Sequence, residues 1–408
     1  MSLIPKSGEW TVGWRIVLAC AVANGTGISL LFYVFSMFLL PMSAELGLTR
    51  TETGIVQSLV VTAALGAPLI GRLTDTLGFR PVFVFCSLVL GLTGIVQGTL
   101  IDSALLLGLS VAAAAFFGAG NSSITLTRPI NAHFRKHRGL ALGLVGIGVS
   151  ITAILFPPLL HTIIEDHGWR AGFLTLSAIG LGIGLPLTLL LLPRTAASAP
   201  IERHLAMAGV DWSFLRSRDF LLLAGANMLI NVATSGAISQ MSPMIQERGI
   251  GAGIAALALS AFAAGQFVGK LAGGWLLDRF EPRLVAPLMI VVPASGFLLL
   301  LLGGQMAWVA VLAAGLIGLL QGADIDIFAY MTARRFGLDN YGTIFGSLHT
   351  VGWIGTVSGI LIFSSSFDRL GSYAPAQVLA LVILVLGSAL FWPLRLAPEA
   401  KTSEADPH

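Results

Sequence analysis

Apolar residues run along this chain in blocks of about twenty or more, broken by short polar stretches, and inside the blocks polar residues recur at intervals of four and seven. That period belongs to helices with one polar stripe, and the block length spans ~30 Å of hydrocarbon at about 1.5 Å per residue. Twelve such helices are predicted, near 12–41, 52–71, 81–101, 104–132, 139–164, 171–193, 219–246, 252–277, 284–303, 306–333, 341–366 and 373–394. The first block is too long for a cleaved signal segment and no small-residue cleavage site follows it, so it reads as a membrane helix. The longest polar segment, 195–217, holds Pro200, Glu202, Arg203 and His204 and falls midway. The expected organisation is therefore a six-helix half over 1–194, a linker over 195–217, a second six-helix half over 218–396 and a polar tail over 397–408.

The halves share a frame. Gly71-Arg-Leu-Thr-Asp75-Thr-Leu-Gly-Phe-Arg80 recurs 203 residues later as Gly274-Trp-Leu-Leu-Asp278-Arg-Phe-Glu-Pro-Arg283. Gly139 and Gly143, behind the basic cluster Arg135, Lys136 and Arg138, answer at the same offset to Gly342 and Gly346 behind Arg334 and Arg335. Duplicated membrane halves are the sequence signature of a secondary transporter. The expected fold class is an all-α membrane protein of two pseudo-symmetric bundles.

Composition agrees. Hydrophobic residues make up 55% of the 408 and charged residues 11%, with a mean hydropathy of +0.87, far from the ~25% charge of a soluble domain. With the N-terminus inside, the inner loops and ends carry seventeen Lys and Arg and the outer loops only Arg50, Arg170, Arg248 and Arg369, which places both termini in the cytoplasm. The same loop-by-loop distribution accounts for the pI near 9.1 without a nucleic-acid partner. Cys20 and Cys86 lie in apolar blocks, so neither a disulfide framework nor a metal site is expected. Gly265-Gln-Phe-Val-Gly269-Lys270-Leu271 has the wrong glycine spacing and Leu in place of Ser or Thr, which excludes a phosphate loop. With no HExxH or GxSxG motif either, no enzyme is predicted.

The Gly71–Arg80 element and its half-length echo resemble the signature loop of the major facilitator superfamily, a likeness that covers nearly the whole chain. Gly13-Trp14-Arg15, Arg138-Gly-Leu-Ala-Leu-Gly143, His167-Gly168-Trp169-Arg170 and above all Gly322-Ala-Asp324-Ile-Asp326 resemble bacterial monocarboxylate and oxalate/formate porters. The resemblance implies alternating access, a small organic anion as substrate with a proton as coupling ion, a membrane-lipid setting in the bacterial inner membrane, and action as a monomer without cofactor. It also implies a cytoplasmic gate at Gly71, Asp75 and Arg80. The second copy, with Asp278 and Arg283, departs from the pattern at Glu281 and Pro282. The competing reading of the loop is a topogenic one.

Lys270 is the candidate on which most turns. It stands eight residues before Asp278, ~12 Å up the eighth helix, where a charge costs ~2.5–3.5 kcal/mol unless it meets water or a partner. The porters it resembles place a substrate-binding Arg at this spacing. Lys offers a point charge instead of a fork. Gln266, one turn back, occupies a place where some of those porters have an acid. Asp324 and Asp326 are ~200° apart around the tenth helix, so one cavity cannot receive both, and either could carry the coupling proton or tie the helix to the basic loop. Asn121, Thr125 and Arg128 form a stripe on the fourth helix, Asn227, Asn231 and Ser235 on the seventh, Thr26, Ser29 and Tyr33 on the first. Asn121, Asn227, Asn231 and Tyr33 are expected to shape the substrate's surroundings, or else to join helices by hydrogen bonds. His349 is a candidate proton carrier with a packing role as its alternative. Efflux of a hydrophobic or cationic compound, with Asp324 or Asp326 as charge partner, and a non-transporting membrane sensor or channel remain as alternative functions.

Overall fold

The computed structural model describes residues 8–134, 137–192, 212–303, 305–336 and 341–394. Among these residues there are helices and no strand. The first half comprises α1 (Trp10–Gly25), α2 (Ile28–Val34), α3 (Leu39–Leu46), α4 (Arg50–Ser58), α5 (Thr62–Leu77), α6 (Phe79–Thr99), α7 (Ala104–Gly118), α8 (Ser123–His133), α9 (Arg138–Ile179) and α10 (Leu185–Leu191). The second comprises α11 (Arg218–Ser239), α12 (Met241–Gln246), α13 (Ala252–Arg279), α14 (Pro282–Leu302), α15 (Ala307–Phe336), α16 (Tyr341–Leu370) and α17 (Ala374–Ala389). Nine stretches of the described residues are long and apolar enough to cross a membrane. The one over 140–191 is two spans, because Gly168 at φ 80° turns the chain inside α9. The broken α4–α5 rod and the 16-residue α17 complete twelve. Of the expected linker, 195–211 lies outside the described residues and Trp212–Arg216 is a 3₁₀ turn.

Three spans expected to be continuous are interrupted. The first breaks at Thr26–Gly27 and again at a 3₁₀ turn, Phe35–Met37; the second breaks at Leu59–Val61 and the fourth at Ala119–Asn121. Two of these breaks face each other. A Cβ on Gly27, whose backbone is extended, would stand 2.8 Å from the carbonyl oxygen of Asn121. A hydropathy run shows such a break only as a Gly, Ser or Asn within an apolar block. The two facing breaks lie inside the first half, where Gly27 and Asn121 line one small cavity.

Tight helix pairs repeat between the halves. α1 packs on α9 as α11 packs on α16, and α5 on α7 as α13 on α15. The α13–α15 seam is the closest. Cβ atoms on Gly265 and Gly269 would lie 2.0 and 2.1 Å from the carbonyl oxygens of Gly315 and Leu319, and on Gly318 and Gly322 2.0 Å from those of Phe262 and Gln266. Backbone thus packs on backbone, the small-residue mode that membrane helices use where lipid supplies no hydrophobic drive. This seam fixes the faces of α13 and α15 that carry Gln266, Lys270, Asp324 and Asp326.

Candidate functional site

The site is built where α13 passes the first half. The hydroxyl of Tyr33 on α2 donates to Oε1 of Gln266 on α13. One turn further along α13, Lys270 is exposed, and a Cβ on Gly146 of α9 would stand 3.8 Å from its Nζ. Another turn on, the helices part: a Cβ on Gly143 of α9 or on Gly274 of α13 would meet nothing within 4 Å. At the opposite end of the same cleft the halves touch, with Gly253 of α13 against His161 of α9 and Gly54 of α4 against Ser364 of α16. Lys270 therefore occupies the throat of a cleft that is closed at the Arg50 end and open toward the Gly71–Arg80 end. Its ammonium has no hydrogen-bond or ion-pair partner within bonding distance among the described residues, and its exposure lowers the cost of its charge.

The two acids of α15 diverge as their 200° separation requires. Asp326 is half-buried and lies within electrostatic reach of Lys270. Asp324 is 5% exposed; its Oδ2 accepts from Asn231 Nδ2 at a long 3.4 Å, and its Oδ1 accepts no hydrogen bond. Asn231 also donates to Asn227 Oδ1 at 2.7 Å, and Asn227 donates to the Leu348 carbonyl at 2.7 Å. A polar chain thus runs through the second half from Asp324 to α16. His349 is half-buried, with its ring 4.6 Å from that of Phe345.

Asn121 is not brought to Lys270. It is buried within the first half, donates to Ser87 Oγ at 2.9 Å, and lines a cavity of about 40 Å³ with Ser87, Gln97 and Ser177. Among the described residues no ionisable side chain lines that cavity, so these residues offer an anion no counter-charge. Arg128 donates to the Gly71 carbonyl at 2.9 Å, joining α8 to α5, and Arg80 donates to the Leu189 carbonyl at 2.9 Å, joining α6 to α10. Of the other expected gate residues, Arg283 is half-buried, and the side chains of Asp75 and Asp278 lie outside the described residues.

Sequence reasoning passed over the α13–α15 seam. Gly265, Gly269 and Gly273 at four-residue spacing carried the signal for the seam, the same stretch that fails as a phosphate loop. Gly143, Gly146 and Gly148 read in the sequence as a run that favours close packing and bending, and the placement of Gly146 opposite Lys270 across the two halves depends on a contact that no local signal carries.

Comparison with known proteins bears on the whole chain. The sequence profile of the Major Facilitator Superfamily matches residues 17–252 and 220–408. Monocarboxylate transporter 13 of Rattus norvegicus is 26% identical, over 95% of this chain and 89% of its own length. Monocarboxylate transporter 11 of Homo sapiens is 25% identical, over 95% of this chain and 83% of its own. A solved structure of a bacterial homologue of the human lysosomal transporter Spinster, inward-facing and unoccupied, superimposes with a TM-score of 0.71 at 18% identity, covering 95% of this chain and 97% of that one.

Proposed function

This chain belongs to the Major Facilitator Superfamily of membrane transporters, and on that premise we propose that it carries small monocarboxylates by alternating access, coupled to protons. The observation that carries the proposal is Lys270, an exposed cation inside a span, at the throat of the cleft and one turn from a hydrogen bond that crosses between the halves. A carboxylate entering from the open end meets that ammonium first. Its negative charge competes with that of Asp326 for Lys270, so a loaded site and an empty one differ in the interactions that hold the halves. Tyr33 and Gln266 stand on the far side of the ammonium from the opening, where a bound molecule would bear on both halves at once. Asp324, buried with one weak partner, is the acid we assign to the proton, and Asp326 the internal counter-ion. The open end faces the cytoplasm in this proposal, since the basic loops lie there, and both termini with it.

A thermal-shift screen of purified protein against mono-, di- and tricarboxylates and a set of organic cations, repeated on Lys270→Ala, tests the proposal. Stabilisation of the parent by a monocarboxylate that the variant does not share is the expected result. Stabilisation of both proteins alike by cations alone would overturn it.

A further inference from the structure

At the closed end of the cleft the second half clasps the first through one carboxylate. Asp368, in the last turn of α16, accepts the backbone N–H of Arg50 at 3.1 Å and that of Thr51, the first two residues of α4. These N–H groups have no partner within their own helix and stand at the positive end of its dipole, so an anion there satisfies both the hydrogen bonds and the charge. Thr49, the N-cap, and Glu52 form a capping box on this same first turn that takes up the N–H groups of Thr49 and Glu52 and leaves those of Arg50 and Thr51 to Asp368. The contact continues inward: the Arg50 guanidinium lies 5.5 Å from the centre of the Phe367 ring, and a Cβ on Gly54 would stand 2.1 Å from Ser364 Oγ.

The duplicated frame supplies a second instance. Arg50 and Gly253 are 203 residues apart, as are Glu165 and Asp368. Gly253 lies in the first turn of α13, and a Cβ on it would stand 3.1 Å from Nε2 of His161, which pairs with Glu165 at 3.3 Å. Here the acid at the repeat-related position does not reach the helix start itself: the imidazole of His161 touches it, and Glu165 pairs with that imidazole. The direct clasp and the indirect one are related by the repeat, one on each side of the closed end.

We propose that Asp368 is a gating residue of the transport cycle, its carboxylate holding the Arg50 end shut in the conformation seen, with the His161–Glu165 pair as its weaker repeat-related counterpart. Alternating access requires this end to open. Opening returns the Arg50 and Thr51 N–H groups to water and removes the carboxylate from the helix start, so the clasp stabilises only one of the two states and sets their ratio.

The test uses the full chain in lipid nanodiscs without substrate, with nitroxide labels at Ile55 and Leu370, two exposed positions on α4 and α16, and reads their distance distribution by pulsed electron resonance. Asp368→Ala is expected to move the ratio of long to short distances upward by about threefold to tenfold, the effect of losing a charge at a helix start. Asp368→Glu restores most of the parent distribution, and Glu165→Gln gives a smaller shift in the same direction. Should Asp368→Ala yield no folded protein, Asp368→Asn removes the charge and keeps an acceptor. A parent-like distribution in the charge-removing variant, whether or not its melting temperature falls, overturns the proposal. Since no substrate enters the measurement, the carboxylate assignment stands or falls separately.

Discussion

Tyr33 of the first half donates its hydroxyl to Oε1 of Gln266 in the second, one turn of α13 from Lys270. The bond crosses the plane along which the halves must move, so it belongs to one conformation or is remade around the substrate. Tyr33→Phe removes the donor and keeps the ring. A net loss of ~0.5–1.5 kcal/mol for one hydrogen bond predicts about a two- to tenfold rise in KM for carboxylate uptake into proteoliposomes, with a melting temperature near that of the parent.

Two glycines of one run should behave oppositely. A Cβ on Gly148 would stand 2.0 Å from the Ala21 carbonyl oxygen, so Gly148→Ala must push α9 off α1, and a lower melting temperature with poor recovery of folded protein is expected. Among the described residues a Cβ on Gly146 would meet only the Lys270 ammonium within 4 Å, at an ordinary contact distance. Gly146→Leu should leave the fold intact and fill the throat, abolishing uptake while the melting temperature of the empty carrier stays within a few degrees. Loss of both fold and uptake at Gly146 would show that it is a packing residue.

The α13–α15 seam sets a further expectation. A methyl group on Gly269 would sit 2.1 Å from the Leu319 carbonyl oxygen, and no side-chain rotation can relieve a backbone contact. Gly269→Ala should cost ~1–3 kcal/mol as overpacking, and because the seam orients Lys270 against Asp326, binding should fall with stability. Circular dichroism melts in detergent, read beside the thermal-shift response to carboxylates, check both parts.

Much of this was legible in the sequence because lipid imposes few solutions. A polar residue inside an apolar block has to face water, a partner or a neighbouring helix, so Lys270, Asp324, Asp326 and the asparagines stand out from the sequence alone. The opposed directions of Asp324 and Asp326 followed from helix geometry alone. What was not legible depended on contacts between distant blocks. The stripe of Asn121, Thr125 and Arg128 has a period that any inward-facing surface would show, and nothing local distinguishes the cleft from the interior of the first half, where Asn121 meets Ser87. The break at Thr26–Gly27 is likewise decided by the neighbouring break at Asn121, ninety-four residues further on.

The ion pair between Asp219, buried in the first turn of α11, and Arg335, in the last turn of α15, joins two spans of the second half at the open end of the cleft. Each charge complements the dipole of its own helix as well as its partner. Asp219→Asn leaves Arg335 without its anion. About 2 kcal/mol of destabilisation is expected, below the 3–5 kcal/mol of a fully buried pair because Arg335 is about a third exposed. The loss should appear as a lower melting temperature, with the carboxylate-induced shift retained in the folded fraction.

The sharpest separation of roles is between the two acids of α15. Asp326 lies within electrostatic reach of Lys270, so it competes with any anion for the same ammonium. Asp326→Asn removes the competitor, and at an effective dielectric between ~20 and ~80 a charge several ångströms away is worth roughly 1–2 kcal/mol, so carboxylate affinity should rise by roughly five- to thirtyfold. Tighter binding of the ground state need not speed transport, and slower release at the open end would lower maximal uptake while KM falls. Asp324 faces away, toward Asn231 and Asn227, and its loss leaves the potential at Lys270 nearly unchanged. Asp324→Asn should therefore bind carboxylate as the parent does and exchange labelled for unlabelled substrate, yet fail to accumulate it against a proton gradient. Measuring binding, counterflow and gradient-driven uptake on both variants distinguishes the roles: equal losses of all three in Asp324→Asn would make that residue a structural tie, and unchanged affinity in Asp326→Asn would remove it as the counter-ion of Lys270.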